Sequence, residues 1–194
     1  MLVKTTTAAL IAVILLVGAV SAAKIKVRVQ AEPTFDGREV RTWAWAADGP
    51  GQVRMARSSQ DDPEALRRTF EPTVVDAVAK ELGARGIMPG PAATADVNVH
   101  YYLLVTVGFD TQSLGQFLPA VPEWGIPPFT GGTTSYEIIQ TGSLVLDLVS
   151  PKLQRIVWRG IAQAEIDSEK NDDQRKTRIR EAVRDLVEKF PKKK

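Results

Sequence analysis

The stretch of sequence that decides the fold runs from Tyr136 to Asp167 and reads YEIIQTGSLVLDLVSPKLQRIVWRGIAQAEID. Its two arms, 136–149 and 155–167, are rich in β-branched and other strand-forming residues. The segment between them, SPKLQ at 150–154, has the composition of a turn. The pattern therefore predicts a β-hairpin with two long arms.

The candidate acids of this predicted hairpin are Asp147 and Glu165, which lie on its predicted strands although acids are uncommon on strands. The turn brings Asp147 across from Trp158 or Arg159, and pairing with Arg159 would explain the acid as half of a structural ion pair. Paired carboxylates can also hydrolyse glycans, so Asp147 and Glu165 form an alternative catalytic pair. A histidine that acts as a general base needs an acid or hydroxyl partner, and the only such residues near His100 in the sequence are Tyr101 and Tyr102. We therefore interpret His100 as an ordinary hydrogen-bonded strand residue. We assign no catalytic residue.

The rest of the chain adds strands and two helices to the hairpin. Alternation of polar and apolar residues predicts the strands, and apolar residues at helical spacing predict the helices. The predicted strands are 24–30, 38–46 and 96–107, and the predicted helices are 71–82, with a short lead-in from Asp62 because of Pro72, and 172–189. The order β-β-α-β-β-β-α predicts an α+β fold, an antiparallel or mixed sheet of about five strands with two helices on one face.

The first 23 residues have the arrangement of a secretory signal peptide. Lys4 precedes an apolar run from Ala8 to Val20, and the small residues Ser21, Ala22 and Ala23 follow. This run is shorter than the ~20 residues that a spanning helix needs. We expect cleavage after Ala22 or Ala23, with an uncleaved anchor as the alternative. Residues 24–194 are then a single exported domain, located in the periplasm or at the outer envelope.

The composition excludes many kinds of site. The chain has no cysteine and one histidine, which excludes disulfide scaffolds, thiol catalysis, cysteine zinc sites and metal sites with two imidazoles. Its 25 basic and 23 acidic residues are too balanced to indicate a nucleic-acid partner. The sequence contains no phosphate-binding loop, dinucleotide fingerprint or calcium loop. We therefore expect no cofactor and no metal.

A long segment at 108–134 is rich in glycine and proline and also carries large apolar side chains. Loops of this length in compact domains tend to be functional or disordered. Its apolar side chains would form a contact site for an envelope protein, a glycan or a lipid surface, or would fold back to cap the core. The residues of this predicted contact site are Phe109, Phe117, Trp124, Ile126 and Phe129.

Several segments resemble the bacterial domain of unknown function 4136 family, whose members are envelope proteins and many of them lipoproteins. The matching segments are RTWAW at 41–45, ADVNV at 95–99, TGSLVLDL at 141–148 followed by RIVWRG at 155–160, and VEKFP at 187–191. The resemblance implies an exported α+β domain with no established activity. It departs from the lipoprotein members because this chain has no cysteine for lipid attachment.

The resemblance also implies structural roles for five residues. Trp45 and Trp158 would anchor the core. Asp147 and Arg159 would form a cross-strand pair, and Gly160 would mark close packing or a bulge.

We therefore expect a non-enzymatic interaction or structural module of the cell envelope, attached to a membrane only through an uncleaved leader, if at all. A hydrolase of envelope glycans is one alternative, and it requires Asp147 and Glu165 to converge in a pocket. A carrier of a small apolar ligand is another, and it requires a cavity between the sheet and the helices.

Overall fold

The structure is a computed structural model that describes residues 24–55, 62–107, 140–166 and 170–191. The predicted signal peptide and the predicted contact loop lie outside these residues. In chain order the elements are β1 (Lys26–Ala31), a 3₁₀ turn (Gly37–Glu39), β2 (Thr42–Trp45), β3 (Gly51–Met55), α1 (Pro63–Ala84), β4 (Met88–Pro89), β5 (Val97–Val107), β6 (Gln140–Ser150), β7 (Arg155–Glu165) and α2 (Asp172–Glu188).

The strands form one mixed sheet in the order β1-β7-β6-β5-β2-β4. In this order, the pairs β1–β7, β7–β6 and β6–β5 are antiparallel. Strand β2 runs parallel to the first half of β5, and β3 runs parallel to its second half. The predicted α+β class, with a mixed sheet and two helices, is confirmed. The described residues contain seven strands rather than about five. The extra strands are β3, which lies outside the predicted strands, and β4, which has two residues and depends on β2 for its pairing.

The hairpin of β6 and β7 sets which side chains face the helices. Leu148 lies across from Trp158, and Asp147 lies across from Arg159. Leu148 and Trp158 belong to the main core with the helices. Because side chains alternate along a strand, Asp147 and Arg159 point to the opposite face of the sheet. We call this second face the outer face.

Helix α1 is longer than predicted, because it begins at Pro63 and continues through Pro72. Asp62 caps its start by accepting a hydrogen bond from the backbone N–H of Glu64 at 3.0 Å. Phe70 and Val74 lie on either side of Pro72, and both are buried in the core. Burial of these side chains stabilises helix on both sides of the proline, which sequence propensity alone does not predict.

Helix α2 is where the sequence predicts it. Asn171 and Gln174 form a reciprocal capping box at its start. Val183 and Leu186 are fully buried between α1 and the sheet. Among the described helices, none is long and apolar enough to cross a membrane.

Candidate functional site

Asp147 and Arg159 form a buried ion pair on the outer face. The Nε and Nη2 atoms of Arg159 donate hydrogen bonds to the two carboxylate oxygens of Asp147, each at 2.6 Å. The side chains are 0% and 2% exposed for Arg159 and Asp147. A carboxylate held at both oxygens by a guanidinium is not free to act as a nucleophile or general base. The arrangement is that of a structural pair.

His100 and Tyr102 are half-buried beside this pair on the outer face. His100 lies across from Asp147 on β5, and its ring is 4.8 Å from the ring of Tyr102. Burial raises the pKa of Asp147, and the hydrogen bonds from Arg159 oppose that shift. Burial also raises the pKa of Tyr102. The Nε2 atom of His100 and the Nη1 atom of Arg159 are buried without a hydrogen-bond partner in the described part of the chain.

Glu165 does not join Asp147. It lies across from Thr141 and is six residues along β7 from Arg159, the partner of Asp147. With a rise of ~3.4 Å per strand residue, this separates the two acids by roughly 20 Å. Glycoside hydrolysis uses carboxylates about 5–9.5 Å apart. The structure therefore does not assemble the alternative catalytic pair.

A cavity of about 350 Å³ lies between the sheet and the two helices. Its wall is mainly apolar and draws on both helices and three strands: Leu66, Phe70, Leu103, Leu144, Ala162, Ile179 and Ala182 border it. The volume falls in the ~300–1,000 Å³ range of small-molecule sites. We call it the interlayer cavity.

A second hollow, of about 370 Å³, lies near the 3₁₀ turn and the end of α1. Arg38, Arg41 and Arg85 border it together with Glu81 and Glu188. Because charges of both signs surround it, it offers no single class of ligand a complementary wall. The interlayer cavity is the better candidate for a binding site.

One side of the interlayer cavity is basic. Lys170, Arg175 and Arg178 border it, and Glu165 is the one acid among the bordering residues that the structure describes. Nη1 of Arg175 is 3.8 Å from Asp172, which is a loose ion pair. Its Nε is buried with no hydrogen-bond partner among the described residues.

Comparison with known proteins gives the family. The model of a domain of unknown function, DUF4136, matches residues 27–192. The chain belongs to the DUF4136 family. No curated protein matches this DUF4136 chain significantly.

The solved structures that match this chain are distant in sequence. A PDZ domain protein from Parabacteroides distasonis has a TM-score of 0.50 and 11% identity, and the match covers 91% of this chain but 38% of that protein. A PelC dodecamer from Paraburkholderia phytofirmans has a TM-score of 0.42 and 10% identity, with 88% of this chain and 100% of that chain covered. A minor lipoprotein from Acinetobacter baumannii has a TM-score of 0.29 and 8% identity, with 77% of this chain and 87% of that chain covered. The similarity to the Parabacteroides protein is one of fold.

Trp45, Trp158 and Gly160 lie where the helices meet the sheet of this DUF4136 domain. Trp158 is buried and packs edge-on against Phe190, with ring centroids 5.6 Å apart. Trp45 is half-buried, and its neighbour Trp43 is the deeper of the two. A Cβ atom at Gly160 would lie 2.9 Å from Cδ2 of Leu186, so the glycine permits close approach of α2.

Sequence reasoning missed a contact between two of the DUF4136 motifs. Oδ2 of Asp96 accepts hydrogen bonds from the backbone N–H groups of Arg41 and Thr42, both at 2.9 Å. The hydroxyl of Thr42 accepts one from the backbone N–H of Asp96 at 3.0 Å. This reciprocal contact fastens the start of β2 to the start of β5.

Sequence reasoning also missed the interlayer cavity's basic side. The signal was the spacing of Arg175, Arg178, Ile179 and Ala182, which places them on one stripe of a helix. The predicted contact residues Phe109, Phe117, Trp124, Ile126 and Phe129 lie outside the described residues, and their role stays a prediction.

Proposed function

We propose that this DUF4136 chain is an exported, non-catalytic module of the bacterial cell envelope that binds a small apolar ligand between its sheet and its helices. The interlayer cavity carries this proposal. It has the volume of a small-molecule site and an apolar wall, and it lies in the position that a carrier requires.

The arrangement of charges supports a binding role over hydrolysis. Asp147 is engaged by Arg159 at both oxygens, and Glu165 lies far along the same sheet face. Within the described residues, no group of three or more histidine or acidic side chains could hold a metal ion. Asp147 and Glu165 therefore do not supply an acid and a base at one substrate position.

Export is supported by the sequence of residues 1–23, which has the charge, the apolar length and the small terminal residues of a signal peptide. The envelope is therefore the compartment in which we expect the ligand.

The proposal can be tested with N-phenyl-1-naphthylamine, an uncharged apolar dye whose fluorescence rises on binding. Ala164 borders the cavity and is half-buried, so Ala164→Phe adds a ring at the cavity wall. Ala93 is exposed in a turn, and Ala93→Phe adds the same ring away from the cavity. We expect saturable binding to the wild type and to Ala93→Phe, and at least roughly tenfold weaker binding to Ala164→Phe.

Circular dichroism and thermal unfolding establish that each variant is folded. If Ala164→Phe does not fold, Ala182→Met narrows the cavity from the α2 side by a smaller volume. Absence of saturable binding to the wild type would contradict the proposal, as would unchanged binding to a folded cavity variant.

A further inference from the structure

We propose that the ligand of the interlayer cavity is an amphipathic anion, an alkyl chain that ends in a carboxylate or phosphate group, and that Arg175 binds the anionic end. This inference rests on the proposed function and names the chemical class of its ligand.

Two cations of α2 lie on the stripe of the helix that borders the cavity. Arg175, Arg178, Ile179 and Ala182 occupy positions i, i+3, i+4 and i+7, and all four border the cavity. One stripe of the helix thus changes from charged at its beginning to apolar further along. An elongated ligand with a charged end and an apolar body matches that change.

The ion pairs around the cavity distinguish Arg175 from the other cations. Lys170, Arg175 and Arg178 border the cavity together with the acid Glu165 among the described bordering residues, and Arg178 is paired with Glu181 at 2.9 Å. An anionic group that enters here is attracted to Arg175, because its ion pair with Asp172 is looser than that of Arg178 with Glu181. Because the rest of the wall is mainly apolar, this attraction is screened less than it would be at an open surface.

Arg175 itself is partly buried, with 37% of its side chain exposed. Its Nε is buried with no hydrogen-bond partner among the described residues. The ion pair of its Nη1 with Asp172 spans 3.8 Å, longer than a hydrogen bond. A buried donor without an acceptor is unfavourable, and the oxygen of an anionic ligand would satisfy it with a charge-assisted hydrogen bond. The stem of Arg175 can lie along the apolar wall at the same time.

Three ligands with the same chain test this inference: dodecanoate, dodecyl phosphate and dodecanol. Each is used below its micellar concentration to displace N-phenyl-1-naphthylamine. We expect at least one of the two anions to displace the dye from the wild type at a concentration roughly tenfold or more below that of dodecanol. The anion that binds more tightly identifies the head group. The preference should decrease with added salt, because the interaction is electrostatic.

Arg175→Met removes the charge and keeps an apolar stem, and Arg180→Met is the matched control on an exposed position of the same helix. We expect Arg175→Met to lose the preference for the anion while it still binds the dye and dodecanol, and Arg180→Met to keep the preference. Equal displacement by dodecanol and both anions from the wild type would overturn the inference and leave the proposed function standing. Persistence of the preference in Arg175→Met would overturn the role of Arg175. Failure of the wild type to bind the dye would contradict the proposed function itself.

Discussion

At the scale of single residues, the pair of Asp147 and Arg159 is best tested by removing one partner and then both. Arg159→Met leaves the Asp147 carboxylate buried without its cation, and we expect a loss of about 3–5 kcal/mol in the free energy of unfolding. The double variant Asp147→Leu, Arg159→Met removes both charges and should recover most of that loss. Urea unfolding of the two variants and the wild type measures the difference.

The two results separate charge from packing. If the double variant is as unstable as Arg159→Met, the volume of the side chains rather than the uncompensated charge determines stability at this position, and the interpretation of the pair is wrong.

We expect the free energy of unfolding to depend on pH through the carboxyl of Asp96. The backbone N–H of Arg41 lowers the pKa of the Asp96 carboxyl, burial opposes that shift, and the hydrogen bonds from Thr42 add to the lowering. Its stabilising effect is therefore fully present above the unfolded pKa of about 4 and is lost as the pH falls through the lower folded value. We expect Asp96→Asn to be less stable near neutral pH because the substitution weakens these hydrogen bonds. The loss should be only about 1 kcal/mol, because Asp96 is exposed and solvent screens its charge.

Thermal unfolding of Asp96→Asn and the wild type between pH 2 and 7 checks this prediction. The difference between the two should shrink in acid, where the wild-type carboxyl is protonated. A difference that stays constant across this range would show that the charge of Asp96 does not contribute.

At the scale of elements, Gly160 sets how closely α2 approaches β7. An added Cβ would lie 2.5 Å from Trp158 Cη2 and 2.9 Å from Leu186 Cδ2, and both side chains are buried. We expect Gly160→Ala to lose about 1–3 kcal/mol of stability through overpacking. At Gly83 in α1 an added Cβ meets no atom within 4 Å, so Gly83→Ala should stabilise the protein by about 0.5–1 kcal/mol. Equal effects of the two substitutions in urea unfolding would contradict this account.

The elements that the sequence predicted are those whose period is unbroken. The hairpin, β5 and α2 each present a continuous strand or helix pattern, so local side-chain alternation was sufficient. The continuation of α1 through Pro72 depends on burial of Phe70, which is a tertiary effect. Strand β4 exists because β2 pairs with it, and two residues carry no periodicity of their own.

At the scale of the whole molecule, the candidate site was less predictable than the fold. Asp147 and Arg159 are 12 residues apart in one hairpin, so their pairing followed from the turn. The interlayer cavity is bordered by residues of both helices and of β5, β6 and β7. Its volume depends on the distance between the two layers, and no local pattern in the sequence encodes that distance.

At this scale, the first 23 residues of the chain have the features of a signal peptide. Their apolar run of 13 residues falls short of a membrane span, so we expect a signal peptidase to remove them in a bacterial host with an outer membrane. The intact mass of the protein released by osmotic shock should correspond to a chain that begins at Ala23 or Lys24. Leu15→Arg places a charge in the apolar run and should leave the uncleaved precursor in the cytoplasm, whereas Thr6→Ser should be processed normally. Recovery of the wild-type chain at full mass in the membrane fraction would instead establish the leader as an uncleaved anchor.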